Sequence, residues 1–85
     1  MKSFDYVITE SLGIQPQTAG TLCKIARVYK SAIIVHCGEK ASNVLRLMAM
    51  LQMGIKCGDR VTVTIQGPDE EIAAIKIEDF FKANL

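Results

Sequence analysis

The chain has 85 residues, 49% of them hydrophobic and 22% charged, with ten Lys and Arg against nine Asp and Glu. That balance excludes a disordered chain, and a net charge of +1 gives no field that argues for nucleic acid as a partner. No apolar run approaches the roughly 18 residues of a membrane span, and the opening residues carry Asp5 and lack an apolar signal core. Residues 1–85 are therefore expected to form one cytoplasmic domain without membrane insertion.

The first segment, Phe4 to Thr9, suits a strand with Phe4, Tyr6 and Ile8 on one face. Ser11-Leu12-Gly13 turns the chain, and Pro16 fits the first position of a helix, where its missing N–H would be unpaired anyway. Leu22, Cys23, Ile25, Ala26 and Tyr29 continue a helical stripe from Ala19, which predicts a helix over 16–28. Ala32 to Cys37 is short and β-branched, a strand with Ile33, Val35 and Cys37 inward and Ile34 and His36 outward. Gly38-Glu39 turns into a short partner strand, Lys40 to Asn43.

Val44 to Met53 reads as a short, apolar second helix stopped by Gly54. Arg60 to Gln66 alternates cleanly, with Val61, Val63 and Ile65 inward. Asp69, Glu70 and Glu71 then place acids where the positive end of a last helix begins. Ala73, Ala74, Ile77 and Phe81 form its buried stripe with Phe80 at the margin; Ile72 and Ile75 fall on the outer side. The order β-α-β-β-α-β-α favours an α+β fold, an antiparallel sheet with helices on one face.

Cys23, Cys37 and Cys57 are widely spaced, without a Cys-x-x-Cys pair, and His36 is the one histidine. That set does not make a zinc site, so the cysteines are expected to be free thiols. No metal or other cofactor is implied.

Taken together, the element order, Gly13-Ile14 before a helix, Lys40 followed by Asn43, Met48, Gly54 and Gly67 resemble HPr. HPr is the small phosphocarrier of the bacterial phosphoenolpyruvate-dependent sugar phosphotransferase system. The resemblance runs along the whole chain. It implies an open-faced β-sandwich, four antiparallel strands covered on one face by three helices. It also implies a phosphoacceptor motif, G-I-H-A-R-P-A, in which the His takes phosphate from enzyme I and the Arg pairs with it.

Here that stretch reads Gly13-Ile14-Gln15-Pro16-Gln17-Thr18-Ala19. An amide nitrogen has no free lone pair with which to attack phosphorus, and Pro16 removes one backbone N–H from the helix start. Phosphoryl carriage by the family route is therefore expected to be lost. Gram-positive relatives carry a regulatory Ser at the start of the second helix; the matching residue here is Arg46, with Ser42 nearby in the predicted third strand. Arg46 cannot mimic phosphoserine, whose charge has the opposite sign.

What the resemblance leaves is the family's docking surface on the first and second helices. Leu47, Met48, Leu51 and Met53 would supply its apolar positions, with Leu47 and Leu51 exposed and Lys24 and Arg27 as flanking charges. Its partners would be phosphotransferase-system proteins such as enzyme I, or a transcriptional regulator. The function expected is thus a docking or regulatory module, not an enzyme. Two alternatives stay open. One is a phosphocarrier using another acceptor, His36 or a cysteine; Cys23 sits on the packed stripe, where burial makes a thiol inert. The other is a weakly self-associating domain, marked by Ile72 and Ile75. Thr18 and Thr21 are expected to cap the first helix.

Overall fold

The computed structural model describes residues 1–85. Its elements are β1 (Lys2–Val7), α1 (Pro16–Ala26), β2 (Ala32–Cys37), β3 (Lys40–Asn43), α2 (Leu47–Gln52), β4 (Arg60–Gln66) and α3 (Glu70–Asn84). The four strands form one sheet in the order β1-β4-β2-β3, and every neighbouring pair is antiparallel. The expected open-faced architecture is the one observed.

Alternation fixes which sheet face is dry. Ile33, Val35, Val61, Val63 and Ile65 are fully buried and share one core with Ile8, Leu22, Ile77 and Phe81. Phe4 and Tyr6 on β1 pack edge-to-face with the Phe81 ring, with centroids 5.5 and 5.7 Å away and interplanar angles of 79° and 75°. This edge-to-face geometry places positive ring edges on a negative ring face. The opposite sheet face carries Asp5, Arg60, Thr62, Thr64 and His36. There Asp5 accepts from Thr62 Oγ1 at 2.6 Å and from Arg60 at 3.0 Å. The Thr62 hydroxyl, followed by Arg60, holds the Asp5 carboxyl below the usual carboxylate range.

Three boundaries differ from the sequence reading, each for a hydrogen-bonding reason. β1 starts at Lys2 and ends at Val7, because the Thr9 amide leaves the ladder and donates to Leu85 O. α1 ends at Ala26, with Arg27 as its C-cap, where residues to 28 were expected, because the Val28 and Tyr29 amides turn to the carbonyls three residues back, Ile25 O and Ala26 O. α2 is six residues long, not ten. Val44 donates to Ile33 O beside β2, and Leu45 N is taken by Asn43 Oδ1, so the helical pattern begins only with Arg46 O accepting from Met50. This local side-chain bond offers the backbone an alternative to the helix.

A long-range tie closes the other end of the molecule. The Asp69 carboxylate accepts from Ser31 Oγ at 2.5 Å and from the Lys30 amide at 2.8 Å, joining the turn before β2 to the start of α3. The Ser31 hydroxyl, and then the Lys30 amide, hold Asp69 below the ordinary carboxylate range. A carboxyl depressed in the folded state contributes stability above its unfolded pKa and loses it as pH falls through the folded value. Asp69→Ala is therefore expected to lower the urea midpoint at neutral pH. Its deficit against the parent should narrow as pH drops below the carboxylate range, in urea titrations over a pH series. A deficit independent of pH would show that the carboxylate charge plays no part.

Candidate functional site

Gln15 is the N-cap of α1, in extended conformation at φ −109° and ψ 167°, and Pro16 opens the first turn. No side chain caps that turn. Thr18 and Thr21 do not act as the expected caps: Thr21 Oγ1 instead donates to Gln17 O one turn back, at 3.0 Å. Gln15, Pro16 and Gln17 are all exposed. The loop before them is anchored from below, with Gly13 N donating to Glu10 O at 2.9 Å and Ile14 N to Ile55 O at 3.2 Å. The helix start thus presents a positive dipole end to solvent, with two amide side chains and no nucleophile.

The one imidazole lies elsewhere. His36 is in β2 and faces away from the helices, as its place in the alternation predicted. It is half-buried, and its Nε2 lies 3.2 Å from Thr64 Oγ1 on β4. The whole sheet separates it from α1. The thiols do no better. Cys23 is buried on α1, its Sγ 3.8 Å from Leu45 O and 3.5 Å from Arg27 Nη2. Cys37 is half-buried and Cys57 exposed, and none is in a disulfide. Ser42 is buried in β3, its hydroxyl donating to Asn43 O at 3.1 Å.

Beside the helix start, α2 packs on α1 and turns an apolar surface outward. Met48 is 67% exposed and Leu47 37% exposed, whereas Leu51 is only half-buried and Met53 is buried in the core. Two corrections follow: Met53 does not belong to the surface, and Leu51 contributes only its edge. Met53 lies past the end of α2, as its C-cap, and joins the core cluster just before Gly54, whose φ is +64°. Shortening the helix also frees Leu45, 46% exposed, which the sequence reading left out. Asn43, with its turn-forming side chain, was the signal for it. Arg46 is the N-cap of α2, exposed, as are Lys24 and Arg27 on α1. No carboxylate pairs with any of these three cations. The result is a Leu/Met patch bordered by free positive charge.

The chain matches the family model described as the PTS HPr component phosphorylation site over residues 2–83. It is 33% identical over 78 residues to the phosphocarrier protein HPr of Mycoplasma capricolum, covering 89% of this chain and 88% of that one. It is 32% identical to the HPr of Lysinibacillus sphaericus, covering 86% and 83%. Among solved structures, the histidine-containing phosphocarrier protein of a Mycoplasma superposes with a TM-score of 0.90 at 29% identity, over 93% of this chain and 90% of that chain. With fold, register and sequence agreeing along nearly its whole length, the chain belongs to the HPr family, the phosphocarrier proteins of the phosphotransferase system.

Proposed function

We propose that this chain works as a cytoplasmic docking or regulatory member of the phosphotransferase system and does not itself carry phosphate. One observation supports the reading above the others. The residue capping α1 at the family's acceptor position is Gln15, and the one imidazole, His36, sits on the far face of the sheet. Gln17 replaces the cation that would pair with phosphate, and Pro16 withholds an N–H. Arg46, where relatives carry a regulatory Ser, closes the second phosphorylation route as well.

Binding through the exposed patch is the activity that survives. Leu47 and Met48, with the edge of Leu51, offer apolar area, and Lys24 and Arg27 give it orientation and steer a partner of opposite charge. The partners that fit are enzyme I or a transcriptional regulator of the same system. The role is one of binding, not catalysis. Incubation with enzyme I and phosphoenolpyruvate, followed by intact mass, tests the first half; no added phosphate is expected. Titration against enzyme I and candidate regulators tests the second. Met48→Asp is expected to weaken binding at least about tenfold, the range of a central apolar contact, and to leave thermal unfolding nearly unchanged. Phosphate on the parent chain, or binding untouched by Met48→Asp, would sink the respective half.

A further inference from the structure

Charge in this chain is far more segregated than its net value of +1 suggests. From Ser11 to Gly38 every charged residue is a cation, and the same holds from Lys40 to Gly58. The surface of α1 and α2 therefore carries Lys24, Arg27 and Arg46 around Leu47 and Met48, with no acid among them. α3 is the counterpart. On its outer side Ile75, 60% exposed, lies between Glu71 and Asp79 at i−4 and i+4, with Ile72 beside it at 54% exposure. Glu71 and Asp79 are in no ion pair, while Lys82 is spent on Glu78, leaving Lys76 as the free cation of that helix. One molecule thus holds an apolar knob framed by cations and an apolar knob framed by carboxylates.

The layout lets both be used at once. α1 packs against both α2 and α3 and so lies between them in the helical layer. Two such layers laid face to face, related by a twofold axis along α1, bring α2 of each chain over α3 of the other. Each contact is then made twice and the assembly closes.

We propose that the helical layer is self-complementary and that a second copy of this chain docks on it, α2 of each, with Arg46 at its start, on α3 of the other. The dimer covers Met48, so self-association and docking of another partner exclude one another. The pairing itself does not depend on what the monomer binds.

Sedimentation equilibrium of the full chain over a concentration series tests it. A monomer–dimer equilibrium is expected, weakened as salt rises from about 0.02 M to about 0.5 M, where screening shortens from tens of ångströms to a few. Met48→Asp and Ile75→Lys each alter an exposed side chain and are each expected to raise the dimer dissociation constant about tenfold or more, with circular dichroism unchanged. Mixing the two variants is the decisive arm. Their heterodimer has one unaltered contact, and in the other the new acid on α2 faces the new cation on α3, so it should form more tightly than either homodimer. A chain monomeric throughout at low salt, oligomers that grow without closing, sensitivity to only one variant, or no gain on mixing would each overturn the proposal.

Discussion

Placing the family's acceptor chemistry at the start of α1 is expected to let the chain take phosphate from enzyme I, which the parent is expected not to do. The scaffold needs no rebuilding. Gln15 already occupies the N-cap in extended conformation, exposed and with its side chain uncommitted to the first turn. Gln15→His supplies a nucleophile whose unperturbed pKa keeps much of it neutral near pH 7. Alone it lacks half the site, since the phosphoryl group would meet Pro16, which donates nothing, and Gln17, which carries no charge. Adding Pro16→Ala returns one backbone N–H, and Gln17→Arg returns a charge-assisted partner for the phosphate oxygens.

The triple variant is expected to label about tenfold or more faster than Gln15→His alone. Tenfold corresponds to about 1.4 kcal/mol of transition-state stabilisation, within the worth of one charge-assisted hydrogen bond. The label should be acid-labile, and should persist when His36→Ala is added. Labelling of the parent chain at the triple variant's rate, or loss of label with His36→Ala, would show that the acceptor was never at position 15.

The parts of this molecule legible in the sequence are those written in local pattern. β2 and β4 fall where alternation placed them, because burial on one sheet face forces period two, and β3 falls where the Gly38-Glu39 turn placed it. The Pro16 start of α1 and the outward Ile72 and Ile75 of α3 follow equally from local rules. What could not be read depends on partners far along the chain or on competing local bonds. The Ser31–Asp69 tie joins residues 38 apart. β1 stops at Val7 because Thr9 finds Leu85 across the fold.

The length of α2 was misread for a different reason. Leu45, Leu47, Met48, Met50 and Leu51 satisfy a helical pattern, but the Asn43 side chain takes the Leu45 amide and delays the helix. At the candidate site the two glutamines at positions 15 and 17 were visible from the family register. The edge of the exposed apolar patch, with Leu45 in and Met53 out, was not, since exposure of a short helix is set by what folds beneath it.

The second large effect lies in the loop that carries the site. Gly13 sits at φ +68°, in the left-handed region, and a Cβ built there would lie 2.4 Å from Ile55 O and 2.8 Å from Lys56 Cα. Both obstacles are backbone, and Ile55 O is already the acceptor for Ile14 N. Gly13→Ala must therefore adopt a disfavoured conformation and also push the segment after α2 away from the segment before α1. Gly54 separates these two costs. Its φ is +64°, nearly the same, yet nothing lies within 4 Å of the corresponding Cβ. Gly54→Ala is thus expected to cost only the conformational penalty, about 1–2 kcal/mol. Gly13→Ala adds a backbone collision and should cost about 3–5 kcal/mol, at the upper end for single substitutions. For a chain of this size, whose whole stability is on the order of 4–13 kcal/mol, that takes a large part of the margin. Urea unfolding of the two variants side by side measures the difference. Because the strain at Gly13 is relieved by moving residues 55–56, Gly13→Ala should also disturb α2 and weaken docking through Met48, whereas Gly54→Ala should leave docking closer to the parent. Equal losses of stability in the two variants would show that the contact with Ile55 yields freely and does not hold the acceptor loop in register.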